Sequence, residues 1–292
     1  MNARLILSVV SLMSLLLVAG PAGAAAEWQD TQFKPFSKRF HVYLGGFFPD
    51  VESKIAIDGD VLPDNPEIDF ENVFGLEDSK SVLWGGARWR ISRRNHLEFE
   101  FVDLNRDGST TITTDPVEIG DLILEGSATV DTTFDTTLAR LTYGFSLVSN
   151  DRMDVQLKAG LHIADLSTSV SATGTVCVAP QVPPNCPSVS TPQVESEDVT
   201  APLPHFGGSF VYGITPSVTA RLQIIGFALE LDDIDGSIVE LDADFIWMPW
   251  NNVGFGAGLR YFNTDIKGKG SDLNGSFEFE YFGPAVYVLG AF

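Results

Sequence analysis

Residues 152–164 read RMDVQLKAGLHIA. Met153, Val155, Leu157, Ala159, Leu161 and Ile163 alternate with Asp154, Gln156, Lys158, Gly160 and His162. A strand has a side-chain period of 2, so the apolar set shares one face and the polar set the other. The same reading holds for VELDADFIW (239–247) and VGFGAGLRY (253–261). In a soluble sandwich the apolar face turns inward. In a membrane barrel it meets lipid, and the polar face lines the lumen. Alternation is identical in the two cases, so other parts of the chain must decide.

The N-terminus is the first of these. Met1–Arg4 is a short positive start, Leu5–Gly20 is apolar apart from two serines, and PAGAAA (21–26) supplies small residues at Ala22, Ala24 and Ala26. This is the layout of a secretory signal cleaved after Ala24 or Ala26. A transmembrane anchor is the competing reading, but the apolar run is short for a span. No Cys follows it, so a lipoprotein anchor is not expected. The organisation read here is a signal peptide over 1–26, a periplasmic lead over 27–38 and a membrane barrel over 39–292. Cysteine use agrees with export: Cys177 and Cys186 close CVAPQVPPNC, and in an oxidising compartment they are expected to form a disulfide.

Ten antiparallel strands are expected near 39–50, 80–92, 95–105, 130–148, 151–167, 201–213, 216–230, 236–248, 251–265 and 275–292, with eight or twelve as alternatives. Tight joins (SRRNH at 92–96, VSNDR at 148–152, GITPS at 213–217, MPWNN at 248–252) alternate with longer ones near 50–79, 106–129, 168–200, 231–235 and 266–274. Short periplasmic turns and long outer loops are the arrangement of an outer-membrane barrel. A spanning sheet must also close, because an open edge in lipid leaves backbone groups unpaired. The fold class expected is therefore all-β, a closed transmembrane barrel.

The chain closes on AVYVLGAF (285–292). With this ending, the signal segment and alternating strands such as GGARWR (85–90) and ARLTYGFSLV (139–148), the sequence resembles the small outer-membrane barrels of the OmpA/OmpX type and a broad group of proteobacterial outer-membrane proteins. The resemblance covers 39–292 at the level of architecture. It implies residence in the Gram-negative outer membrane among lipid and lipopolysaccharide, and insertion by the barrel-assembly machinery, for which Phe292 is the assembly signal. Gly290 stands where an aromatic is common, Pro284 interrupts the last strand, and no peptidoglycan-binding domain follows.

Aromatic girdles are expected from Trp247, Trp250, Tyr143 and Phe145 at the periplasmic boundary and from Phe47, Phe48 and Trp84 at the outer one. Taking the polar side of each strand as inward, the lumen is expected to hold Arg88, Arg90, Arg140, Lys158, Arg221 and Arg260 against Glu98, Glu100, Asp154, Glu240, Asp242, Asp244, Glu278 and Glu280. Buried charges must be paired, so crossed ion pairs that plug the lumen are expected. The alternative is a narrow, porin-like, weakly cation-preferring channel walled by Glu240, Asp242, Asp244, Glu278 and Glu280.

The formal net charge of -21 excludes nucleic-acid partners, which require a basic surface, and makes divalent cations natural counterions. Residues 50–79 carry ten carboxylates and one lysine. They read as a solvated loop, or as a divalent-cation site shared with lipopolysaccharide phosphates, although Gly59 is misplaced for an EF-hand. The sequence holds no G-x-S-x-G, H-E-x-x-H, P-loop or Rossmann pattern. No enzyme activity, cofactor or metal ligand set is expected. The single acid–base constellation is His162 with His205, both inward by alternation and expected to meet near the outer rim, with Asp165 and Ser167 nearby. Omptin proteases are ten-stranded barrels with such a rim site, but no motif here matches theirs.

Overall fold

A computed structural model describes residues 33–57, 68–111, 117–119, 122–124, 128–178, 187–231, 234–269 and 274–292. The signal segment, most of the lead, the centre of the acidic stretch and Cys186 lie outside the described residues.

The strands are β1 (Phe40–Phe47), β2 (Asp50–Ile57), β3 (Ile68–Asp69), β4 (Val82–Arg90), β5 (Asn95–Thr111), β6 (Val117–Ile119), β7 (Leu122–Leu124), β8 (Thr129–Ser149), β9 (Met153–Val178), β10 (Ser188–Thr215), β11 (Val218–Leu231), β12 (Ile234–Trp247), β13 (Val253–Lys269) and β14 (Asn274–Ala291). Each large strand pairs antiparallel with its neighbour, and β1 returns to β14 from His41↔Ala291 to Phe47↔Ala285, closing a ten-stranded barrel. The four tight joins sit at one end, as expected.

Two expected loops are mostly strand. The stretch 106–129 continues β5 to Thr111 and contains the small β6–β7 hairpin. The stretch 168–200 is largely the β9–β10 ladder, unbroken in pairing from Thr168↔Glu197 down to Met153↔Tyr212. Its Ser, Thr and Val residues are polar enough to look like loop, yet β-branched residues suit a pleated surface.

Where it is described, the acidic stretch is also not a free loop. Beyond a bend at Phe48–Pro49, β2 continues along β14 with Asp50↔Phe282 through Ile57↔Gly275. The chain then turns inward through β3 and a helical turn, Phe70–Phe74. That turn is capped by Asp69, whose carboxylate accepts from Asn72 N at 2.9 Å, and is ended by Gly75 at φ 63°, a conformation that favours glycine.

Side-chain faces obey two opposite rules along the same strands. Near the turns, apolar residues face outward: Phe99 and Phe101 on β5, Leu157 and Ile163 on β9, Leu222 and Ile224 on β11, Leu241 and Phe245 on β12, and Val286 and Val288 on β14 are all exposed. Their inward neighbours are polar. Further up, parity is kept but polarity swaps. On β5, outward Phe101 is followed by Asp103, Asn105 and Asp107, while inward Glu100 is followed by buried Val102 and Leu104. On β8 the inward sequence runs Ser146, Thr142, Arg140, then Leu138, Thr136, Phe134, Thr132 and Val130, so apolar residues enter among threonines. The lower band needs lipid around it; the upper part is an ordinary barrel with an apolar interior and a wet exterior.

Candidate functional site

The lower lumen is an ion-pair lattice. Lys158 Nζ donates to Glu98 Oε2 at 2.6 Å and to Gln223 Oε1 at 2.5 Å. Arg221 reaches Asp244 at 3.2 Å and Glu98 at 3.3 Å. Arg260 donates to Asp244 at 2.7 Å and lies 3.6 Å from Asp242. Arg140 binds Glu100 at 2.7 Å, contacts Glu240 and lies 3.7 Å from Asp242. At the periplasmic end Arg90 lies 3.6 Å from Asp154 and donates to Phe36 O at 2.8 Å.

Twelve of the fourteen charges expected in the lumen lie on its inner face. Glu278 and Glu280 do not. Both keep the outward parity of Phe282, Val286 and Val288, and Glu278 is exposed. Glu280 accepts from Tyr261 Oη at 3.0 Å and Asn263 Nδ2 at 3.1 Å on the outer surface. They lie above the belt, where the inner places on β14 belong to Phe277, Phe279 and Tyr281. Removing them leaves six cations with six carboxylates.

Several uncharged lattice members were missing from the sequence list. Tyr43 Oη donates to Glu100 at 2.7 Å, Tyr287 Oη to Asp244 at 3.2 Å, and Gln223 Nε2 to Asp242 at 2.9 Å. Gln223 shares the inward parity of Arg221, so strand alternation marked it; attention to formal charge passed it over.

Above the lattice sits an aromatic layer. Phe262 stacks on Tyr281 with centroids 5.2 Å apart, Phe279 and Phe277 continue upward, and Phe134 meets Phe70 at 5.4 Å. Phe47 and Trp84 belong to this interior, each 2% exposed, and not to an outer girdle; of that trio only Phe48 faces outward. Tyr143, Phe145, Trp247 and Trp250 are exposed near the turns, as a girdle requires. Arg106, fully buried, pins the helical turn into the layer: it pairs with Glu71, donates to Ser53 Oγ at 3.0 Å, and stands over the Phe134 ring at 5.1 Å.

His162 and His205 do meet, with ring centroids 4.6 Å apart. They meet inside the wall and not at an open rim: both are buried, His162 Nε2 within 2.9 Å of Glu240 and His205 Nε2 within 3.0 Å of Thr142 Oγ1. Asp165 takes the outward parity and faces away from them. Carboxylate oxygens of Glu100, Glu240 and Asp242 lie within 4.8 Å of one another. Arg140 bonds or approaches all three, so a guanidinium already supplies the cation there.

No family model matches the sequence, and no curated protein does. Among solved structures the fold is similar to the outer-membrane protease OmpT from Escherichia coli, with TM-score 0.57 and 8% identity over 87% of this chain and 97% of that one. Outer membrane protein OprG from Pseudomonas aeruginosa aligns with TM-score 0.32 and 14% identity over 89% and 97%. The attachment invasion locus protein Ail of Yersinia pestis aligns with TM-score 0.29 and 10% identity over 86% and 98%. At such identities the likeness concerns fold. Together with the outward apolar belt, it makes this chain a closed β-barrel of the membrane-spanning kind.

Proposed function

We propose that the barrel serves the outer membrane as a closed, load-carrying wall that presents its outer hairpins, and that its lumen does not conduct. The observation supporting this is the connected lattice from Lys158 through Glu98, Arg221, Asp244, Arg260, Asp242 and Arg140 to Glu240, beneath the aromatic layer. The void among Glu100, Arg140, His162 and Tyr281 is about 10 Å³, room for about one water. The channel reading needs a bare negative wall. Glu240, Asp242 and Asp244 are each engaged by an arginine, and Glu278 and Glu280 lie outside. A hydrolase at His162 and His205 lacks an approach for substrate through the same packing. In planar bilayers the purified protein should give no steady single-channel steps; reproducible steps overturn the reading.

The outer partners follow from the ladder above the belt. Asp103, Asp107, Asp131 and Asp135 face outward at the level where headgroups begin. The Asp135 carboxylate has those of Asp107 and Asp103 as its neighbours. Divalent cations shared with lipopolysaccharide phosphates would relieve the repulsion among these carboxylates; within 50–79, Glu71 and Asp69 are engaged by Arg106 and Asn72. Asp107→Asn/Asp135→Asn should reduce the stabilisation that Mg²⁺ gives the barrel in lipopolysaccharide bilayers; an unchanged Mg²⁺ effect excludes the ladder. Of the expected Cys177–Cys186 disulfide only Cys177, near the end of β9, is among the described residues.

A further inference from the structure

The cations outside the lumen are not spread as the carboxylates are. The short-turn end carries Lys34, Lys38, Arg39, Arg93, Arg94 and Arg152, and among the described residues Asp151 is its one side-chain carboxylate outside the lumen. At the other end the outward places above the belt hold Asp103 and Asp107 on β5, Asp131 and Asp135 on β8 and Asp165 on β9, with no lysine or arginine on those three strands' outward faces. The net charge of -21 conceals this division.

The exposed arginines form a crescent on the rim. Arg39 precedes β1, Arg93 and Arg94 lie in the β4–β5 turn, and Arg152 lies in the β8–β9 turn. The strand order β1-β4-β5-β8-β9 makes these three points successive. The β10–β11 and β12–β13 turns, ITPS and MPWNN, carry no charge. The crescent is also held in shape. Ile91 N donates to Asn95 O at 2.9 Å and the Asn95 amide to Ser92 Oγ at 3.2 Å, closing the first turn. Ser146 N donates to Arg94 O at 2.8 Å and Arg93 to Ser149 O at 3.3 Å, tying that turn to β8. Arg152 donates to the carbonyls of Gly213 at 2.8 Å and Ile214 at 3.3 Å and stands over the Tyr212 ring at 4.9 Å. A carbonyl orients a guanidinium without neutralising it.

Directly above the crescent, the same wall turns Phe40, Trp89, Tyr143 and Phe145 outward and exposed. Rings of this kind mark the boundary between acyl chains and headgroups. A phosphodiester at that depth is an anion with acceptor oxygens, which suits the planar donor fork of arginine. An acidic protein would match the charge alone; a phospholipid matches the charge and the apolar wall beside it.

We propose that this crescent, centred on Arg93 and Arg94, collects anionic phospholipids in the leaflet that meets the short turns. The inference rests on the outer-membrane reading above, which makes that leaflet the periplasmic one. The aspartates at the far end repel the same lipids, so the barrel's two ends select different surroundings.

The test is native mass spectrometry of the full mature chain released from nanodiscs of equal phosphatidylglycerol and phosphatidylcholine. The wild type should retain phosphatidylglycerol over phosphatidylcholine by about fivefold or more, the preference expected from a single arginine at a charged lipid surface. Arg93→Gln/Arg94→Gln should bring the two lipids close to equal retention. Arg93→Lys/Arg94→Lys keeps the charge and should keep most of the preference, which separates loss of charge from damage to the turn. Lys80→Gln/Lys267→Gln removes two charges from the opposite end and should behave as wild type does. Equal retention of both lipids by the wild type overturns the proposal, as does an equal fall in both glutamine variants, which would trace the preference to net charge. Lipid retention does not depend on conductance, so its failure and the failure of the closed-wall reading are separate results.

Discussion

The lower and upper halves of this barrel are built from the same strands and filled in opposite ways. Below, lipid surrounds the wall, apolar side chains face out, and the interior is a salt lattice completed by Tyr43, Tyr287 and Gln223. Above, water surrounds the wall, aspartates and threonines face out, and the interior is aromatic, with Arg106 and Glu71 as one buried pair. Solvent outside the sheet decides which chemistry goes inside. A lipid-facing belt uses up the apolar half of the alternation, leaving polar side chains to pack the centre. Once the strand clears the bilayer, the hydrophobic effect resumes its ordinary direction.

The largest effect should come from breaking the lattice. Arg140→Met leaves Glu100, Glu240 and Asp242 buried around one missing cation, at a cost of about 3–5 kcal/mol. It would be read as a lower urea midpoint for unfolding from lipid vesicles, and an unchanged midpoint would show that the lower half does not depend on charge matching. Next, Phe74→Ala should cost about 3 kcal/mol from a site with no exposure. If the halves are separate, hydrogen exchange should quicken in β2 and β3 while the amides of 219–223 stay protected; uniform quickening would merge the two. The boundary itself can be located with arginine. Leu157→Arg, in mid-belt, should cost about 2–4 kcal/mol, and Thr137→Arg, outward and just above, about 0–1 kcal/mol. Equal penalties would misplace the edge of the bilayer. The smallest effect is Glu278→Gln: an exposed carboxylate outside the wall should change stability by less than about 0.5 kcal/mol, whereas a lumen carboxylate would cost several times more.

Closure, strand number and the end with tight turns were legible because each follows from local pattern: alternation, turn residues, and the ban on open edges in lipid. The twelve inward charges of the lower half were legible by parity. Glu278 and Glu280 were misread because alternation in SFEFEY gives parity without saying which solvent lies outside. The missing signal was present along each strand, where outward residues pass from Phe101 to Asp103, from Ile163 to Asp165 and from Tyr261 to Asn263. Phe47 and Trp84 were placed on the wrong surface for the same reason. The plug formed by 68–74 was hidden by composition, since it lies in a stretch dominated by carboxylates although its two phenylalanines choose its place. The position of His162 beside Glu240 depends on register between strands far apart in sequence, which no single strand encodes.

β9 contains 26 residues, and at about 3.3 Å each it runs roughly 85 Å, whereas a tilted crossing uses about ten residues. With β8 and β10 it therefore stands as a parapet well beyond the headgroups. One flank of the parapet is bare among the described residues: β11 pairs with β10 only up to Phe206, so along Ser188–His205 no described strand lies on that side. Unsheltered margins recruit other chains. This one carries Pro192, Pro202 and Pro204, which lack the amide a newcomer would need. In a crowded envelope, where identical copies diffuse side by side, those three rings keep neighbouring parapets from zippering into fibrils.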